Sequence, residues 1–137
     1  MQIVTGKHHS ALDRESFWHD VAFANYVQEP VGDSPRVRPT EAMWSAAEGA
    51  FWQTLRELRP THLLVLGKCL WSNLPSAGES GPPLRVGEDE RETWIYPVAP
   101  SGRVLATWVY HPSSGKGSDP KRSHPFVRRF LGLSAGD

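Results

Sequence analysis

Apolar positions in this chain fall into a few dense runs separated by long polar stretches, and the spacing inside each run predicts its secondary structure. From Glu41 onward, Trp44, Ala47, Phe51, Leu55 and Leu58 recur every three or four residues, one face of an amphipathic helix. Thr40 suits its N-cap, Glu41 favours the positive end of the helix dipole, and Pro60 stops it. Residues 61–67 follow as a short, continuously apolar run between Pro60 and Gly67, which reads as a strand covered on both sides. Residues 21–27, Val-Ala-Phe-Ala-Asn-Tyr-Val, read as an earlier strand with Asn25 inside it, so strand, helix and strand make a right-handed βαβ unit. Further on, 93–98 and 104–110 are β-branched and aromatic runs around Ala99-Pro-Ser-Gly-Arg103, which predicts a hairpin.

Weaker patterns fill the remainder. A helical turn capped by Asp13 is expected to turn Phe17 and Trp18 inward, after an irregular N-terminal segment over 1–14. A short helix is expected over 67–75. Residues 75–93, rich in Gly, Pro and acids, read as a polar connector or mobile flap. Ser123 or the turn after it caps a last helix with Phe126, Val127, Phe130 and Leu131 on its apolar side and Arg128 and Arg129 in solvent. No repeat or heptad is present. The sum is an α/β chain, one domain over 1–137, with a short, mainly parallel sheet between helices.

Composition narrows the function classes. At 137 residues the chain holds one core, and twelve Pro with twelve Gly imply long connections. Net charge is zero but uneven: residues 103–137 carry six Lys/Arg against two acids, and 75–92 carry two against five. A polyanion would be met by the C-terminal part. The one cysteine, Cys69, excludes an internal disulfide and a four-cysteine cluster, and its neighbours Leu70 and Trp71 suggest a packed thiol. With no membrane-length apolar run and no signal-peptide core, the expected location is cytoplasmic.

Candidate chemistry gathers where the run 104–110 stops at His111-Pro112-Ser113-Ser114. Pro112 cannot donate to a sheet ladder, so a buried strand delivers a histidine and two hydroxyls to its C-terminal end, where open α/β sheets bind ligands. The plainer alternative is a turn with a polar histidine at its lip. Asn25 likewise either satisfies a neighbouring loop or offers its amide to a ligand. The loop 115–122 is basic. No metal or cofactor is implied: His8-His9 point apart in any regular element, His62, His111 and His124 lie at no ligand spacing, and Gly67-Lys68 lacks the rest of a phosphate loop.

Three blocks in this order resemble the uracil-DNA glycosylase superfamily, nearest its uncharacterised "uracil-DNA glycosylase-like" branch, over residues 15–133. They are Phe23-Ala-Asn25-Tyr-Val with Pro30, Arg36 and Arg38-Pro39-Thr40-Glu41, then Leu58-Arg-Pro60-Thr-His-Leu-Leu-Val-Leu-Gly67, then Val109-Tyr-His111-Pro112-Ser113. The resemblance implies a three-layer α/β/α fold. It implies that Asn25 reads the edge of a flipped base and that His111 donates to the base carbonyl as negative charge grows there. Pro112, Ser113 and Ser114 would grip a phosphate, and Lys116, Lys121 and Arg122 would add non-specific affinity for nucleic acid, DNA first. The superfamily's first strand, with its glycine-rich, water-positioning motif, has no counterpart before Asn25, and its duplex-wedging leucine has none after His111. The expectation is therefore a domain lacking its first strand, from a truncated gene or a degenerate copy. It binds a flipped base or nucleic acid, and an upstream motif would be needed for N-glycosidic hydrolysis. Two alternatives stand beside it: a non-catalytic nucleic-acid-binding module, and a structural or partner-binding domain whose missing strand leaves an open sheet edge.

Overall fold

The computed structural model describes residues 2–6, 10–34, 37–113 and 119–136. In chain order the elements are α1 (Gln2–Thr5), α2 (Ala11–Asp20), α3 (Glu41–Leu58), β1 (His62–Leu66), α4 (Lys68–Ser72), β2 (Glu79–Ser80), β3 (Leu84–Val86), β4 (Asp89–Arg91), β5 (Trp94–Val98), β6 (Gly102–Val109) and α5 (Pro120–Leu131). Helix α3 forms where its apolar spacing places it. Thr40 Oγ1 accepts from the Met43 amide at 3.3 Å, and Arg59, left-handed at φ 46°, closes the helix just before Pro60.

The molecule is α/β, but its four-stranded sheet, in the order β1-β6-β5-β2, is mixed and mostly antiparallel. Only β1 and β6 run parallel; β6 with β5 and β5 with β2 are antiparallel. This corrects the mainly parallel expectation. The β5–β6 link, residues 99–101, is far too short for a parallel crossover, so the expected hairpin itself dictates an antiparallel pair. The second reason is that 21–27 is not a strand. Val21 and Phe23 are exposed, and Tyr26 lays its ring against Trp44 and Phe51 of α3 instead, with centroids 5.8 and 5.7 Å away. Contact with a helix buries this segment's aromatic without a ladder, and its alanines favour a strand little. The expected βαβ unit therefore has no first strand, and β1 lies at a sheet edge.

Strand alternation divides the core. Leu55 of α3 packs with Tyr96, Val98, Val104 and Ala106, and Phe51, Trp52, Trp71 and Leu74 surround them. The intervening positions Ile95 and Leu105 pack with Leu84, Phe126 and Phe130. Val109 and Val127 join Val4, Leu64 and Leu66. The last group ties α1 to α5, and Gly6 allows the approach: at φ 73° it has a backbone few side chains accept, and a Cβ there would lie 2.6 Å from His124 Nε2.

Other expectations change with the packing. The N-terminal segment over 1–14 is not irregular but holds α1 and the start of α2. Trp18 is exposed rather than inward, edge-on to Phe17 and Phe23. The connector 75–93 is built into the fold: Tyr96 Oη donates to Pro75 O at 3.1 Å, Trp94 Nε1 to Ala77 O, Thr93 Oγ1 to Pro82 O, and Thr107 Oγ1 to Glu92 O. Strands β3 and β4 form a hairpin whose two-residue turn opens with Gly87 at φ 62°. Cys69 is exposed, because α4 turns Leu70 and Trp71 inward instead. Asp119, not Ser123, caps α5, accepting from the Lys121 amide at 2.9 Å. Ser123 is a buried position one turn in, and Leu131 faces out.

Candidate nucleic-acid interface

The parallel pair β1 and β6 ends on one side of the sheet, and both exits are polar. Gly67 leaves β1 with its amide donating to Val109 O at 2.8 Å, then turns at φ 124° so that α4 begins at Lys68. Strand β6 ends at Val109, and Tyr110, His111, Pro112 and Ser113 follow as an exposed turn, as Pro112 requires. The Ser113 amide donates to His111 Nδ1 at 3.1 Å, and Ser113 Oγ lies 2.7 Å from the same nitrogen. A ring nitrogen that accepts from an amide carries no proton, so the neutral imidazole is the Nε2–H tautomer.

Helix α5 runs back antiparallel to β6. Phe130 packs beside Leu105 and Val127 beside Val109, so the first turn of α5, with Lys121 and Arg122, reaches past the end of β6 on the side where His111 stands. Lys121, Arg122, Arg128 and Arg129 are all exposed, and the helix contains no acid after its Asp119 cap. Among the described residues no carboxylate pairs with any of these four. The outer face of α5 is a basic stripe.

Between the two lies an aromatic and cationic lip that the sequence does not announce. Arg91 at the end of β4 donates from Nη1 to Trp108 O at 3.2 Å, where β6 has outrun its partner β5. Its guanidinium sits 4.0 Å from the Phe126 ring centroid, 5.2 Å from Trp108 and 6.0 Å from Tyr110. Burial lowers the Arg91 pKa from its ordinary value, while Tyr110 and Asp89 oppose the shift; an arginine remains charged. Lys68 Nζ lies over Trp108 at 5.7 Å, and Trp108 Nε1 is buried without a hydrogen-bond partner among the described residues. Arg91 hides within the acidic run of 88–92, and Lys68 looks like an isolated Gly-Lys. Only the approach of three rings distant in sequence reveals the pair.

The expected site residues divide accordingly. His111, Pro112 and Ser113 stand together, and Lys121 and Arg122 share their end of the sheet. Ser114 and Lys116 lie outside the described residues, as do His8, His9 and Arg36. Asn25 does not take the place expected of a base reader: it is exposed in an irregular segment, and among the described residues its side chain has no hydrogen bond and no contact joins it to His111. Two clefts occur elsewhere. One, of about 330 Å³, lies between 27–29 and α3; the other, of about 310 Å³, lies at the opposite end of the sheet between Arg59 and Arg103. No group of three metal-ligating side chains occurs among the described residues, and no helix there is long and apolar enough to cross a membrane. Comparison with protein-family models, curated proteins and solved structures finds no match.

Proposed function

We propose that this is a three-layer, uracil-DNA glycosylase-like domain that binds nucleic acid, DNA first, at the end of the sheet where β6 exits. The observation that carries the reading is the exposed, unpaired basic stripe of α5, whose first turn extends beyond β6 toward the His111–Ser113 turn. Cations placed there release counterions from a phosphate backbone, and the Nε2–H of His111 adds a directional donor. Tyr110, partly exposed and edge-on to Trp108, supplies an aromatic surface on which a base can stack. The resemblance at Val109-Tyr-His111-Pro112-Ser113 favours the same end. Base reading by Asn25 and N-glycosidic hydrolysis are not part of the proposal, since Asn25 stands off any strand.

Fluorescence anisotropy with a labelled single-stranded oligonucleotide tests it. Binding is expected at low salt, and the double variant Lys121→Gln with Arg122→Gln should weaken it and flatten the log–log salt slope by about 1.4, the loss of two phosphate contacts. His111→Ala should leave most of the affinity. An unchanged slope, or no binding at low salt, contradicts the proposal. The chain is expected to leave a uracil-containing oligonucleotide intact; robust excision abolished by His111→Ala would replace the binding reading with an enzymatic one.

A further inference from the structure

We propose that β1 is a dimerisation edge through which two copies of this chain join antiparallel into one continuous sheet. The parallel register with β6 decides which backbone groups are free. Leu105 donates to Thr61 O and Gly67 donates to Val109 O, so the odd positions from 61 to 67 face β6. The amides and carbonyls of His62, Leu64 and Leu66 therefore face outward, and none has a backbone partner among the described residues. An evenly spaced row of donors and acceptors admits one kind of occupant, an extended strand.

The other edge shows what protection looks like. Strand β2 is two residues long and carries Glu79, held in an ion pair with Arg103. Strand β1 has five residues, His-Leu-Leu-Val-Leu, with no acid, lysine, arginine or proline, and only Val65 is fully buried. That character selects a second copy over a charged peptide, because the strand is complementary to itself. With a two-fold axis at Leu64, His62 pairs with the partner's Leu66 and Leu64 with the partner's Leu64, each pair exchanging two hydrogen bonds. Leu63 then meets the partner's Val65 on the other face, so every facing pair is apolar except the two between His62 and Leu66. The bond from His62 Nε2 to Leu133 O fixes that ring against the body and away from the new pair.

Sedimentation equilibrium of the full chain over a concentration series, with amide hydrogen exchange on the same samples, tests the inference. The expected result is a reversible shift from 15.3 kDa to twice that mass. The Leu64 and Leu66 amides should gain protection in step with it, while Leu63 and Val65, bonded to β6, stay protected throughout. Leu64→Pro removes a donor on the axis and should hold the chain at monomer mass. If that variant fails to fold, by loss of the Leu63 and Val65 protection, the exchange series on the unaltered chain decides alone. A monomer at every concentration overturns the inference, as does a dimer whose Leu64 and Leu66 amides exchange freely.

Discussion

Arg91 shows how a single residue's role can depend on contacts that no local pattern encodes. Its guanidinium replaces the strand partner that Trp108 O lacks and at the same time fills the space among Phe126, Trp108 and Tyr110. Arg91→Met keeps the apolar stem but strips the donor from a partly buried carbonyl, a change expected to cost about 1–3 kcal/mol, measured by urea unfolding. Tyr96 makes a different point. Burial, with a smaller contribution from Tyr26, raises its pKa from 10.0 to about 12. The unfolded chain gives up that proton near pH 10, while the folded chain holds it to about 12, so folding binds the extra proton and stability falls as pH rises between the two values. The expected slope from this one group is at most about 1.4 kcal/mol per pH unit, and Tyr96→Phe should remove it from the alkaline unfolding curve. His111 was legible in the sequence because Pro112 ends a strand visibly. The Nε2–H tautomer was not, since it follows from the fold of Ser113 back onto the ring.

At the scale of elements, legibility followed the strength of the hydrophobic period. The spacing of Ala47, Phe51 and Leu55 produced α3 with its Thr40 cap, and the two aromatic runs produced the β5–β6 hairpin. The segment 21–27 is a run of small and aromatic residues as well. It forms no ladder with the open edge of β1, because Tyr26 packs on α3 instead. The β3–β4 hairpin failed in the opposite way: it is polar on both sides apart from Leu84, which is fully buried, and Val86, so its pattern resembled a connector. Caps are equally local. Asp119→Ala should destabilise the chain by about 1 kcal/mol in urea unfolding, because it removes the acceptor for the first turn of α5. It should leave the salt slope of oligonucleotide binding near the unaltered value, since Lys121 and Arg122 keep their charge.

For the whole molecule, the arrangement separates two kinds of surface. The end where β1 and β6 finish carries His111, Lys68, Arg91 and the first turn of α5, whereas the opposite end holds the cleft between Arg59 and Arg103, where Arg103 is already paired with Glu79. The overall neutrality of the chain conceals this division, and the sequence shows only its coarse form in the basic tail from 103 onward. Both ends display arginines, so charge alone does not choose between them. What favours the His111 end is a basic helix face free of carboxylate partners beside a directional donor and an exposed tyrosine. Backbone amide NMR during titration with a single-stranded oligonucleotide at low salt tests that choice most directly. The account predicts shifts concentrated at 67–68, 110–113 and 119–122. Shifts confined to 59–61 and 98–104, or the absence of any shift, would contradict it.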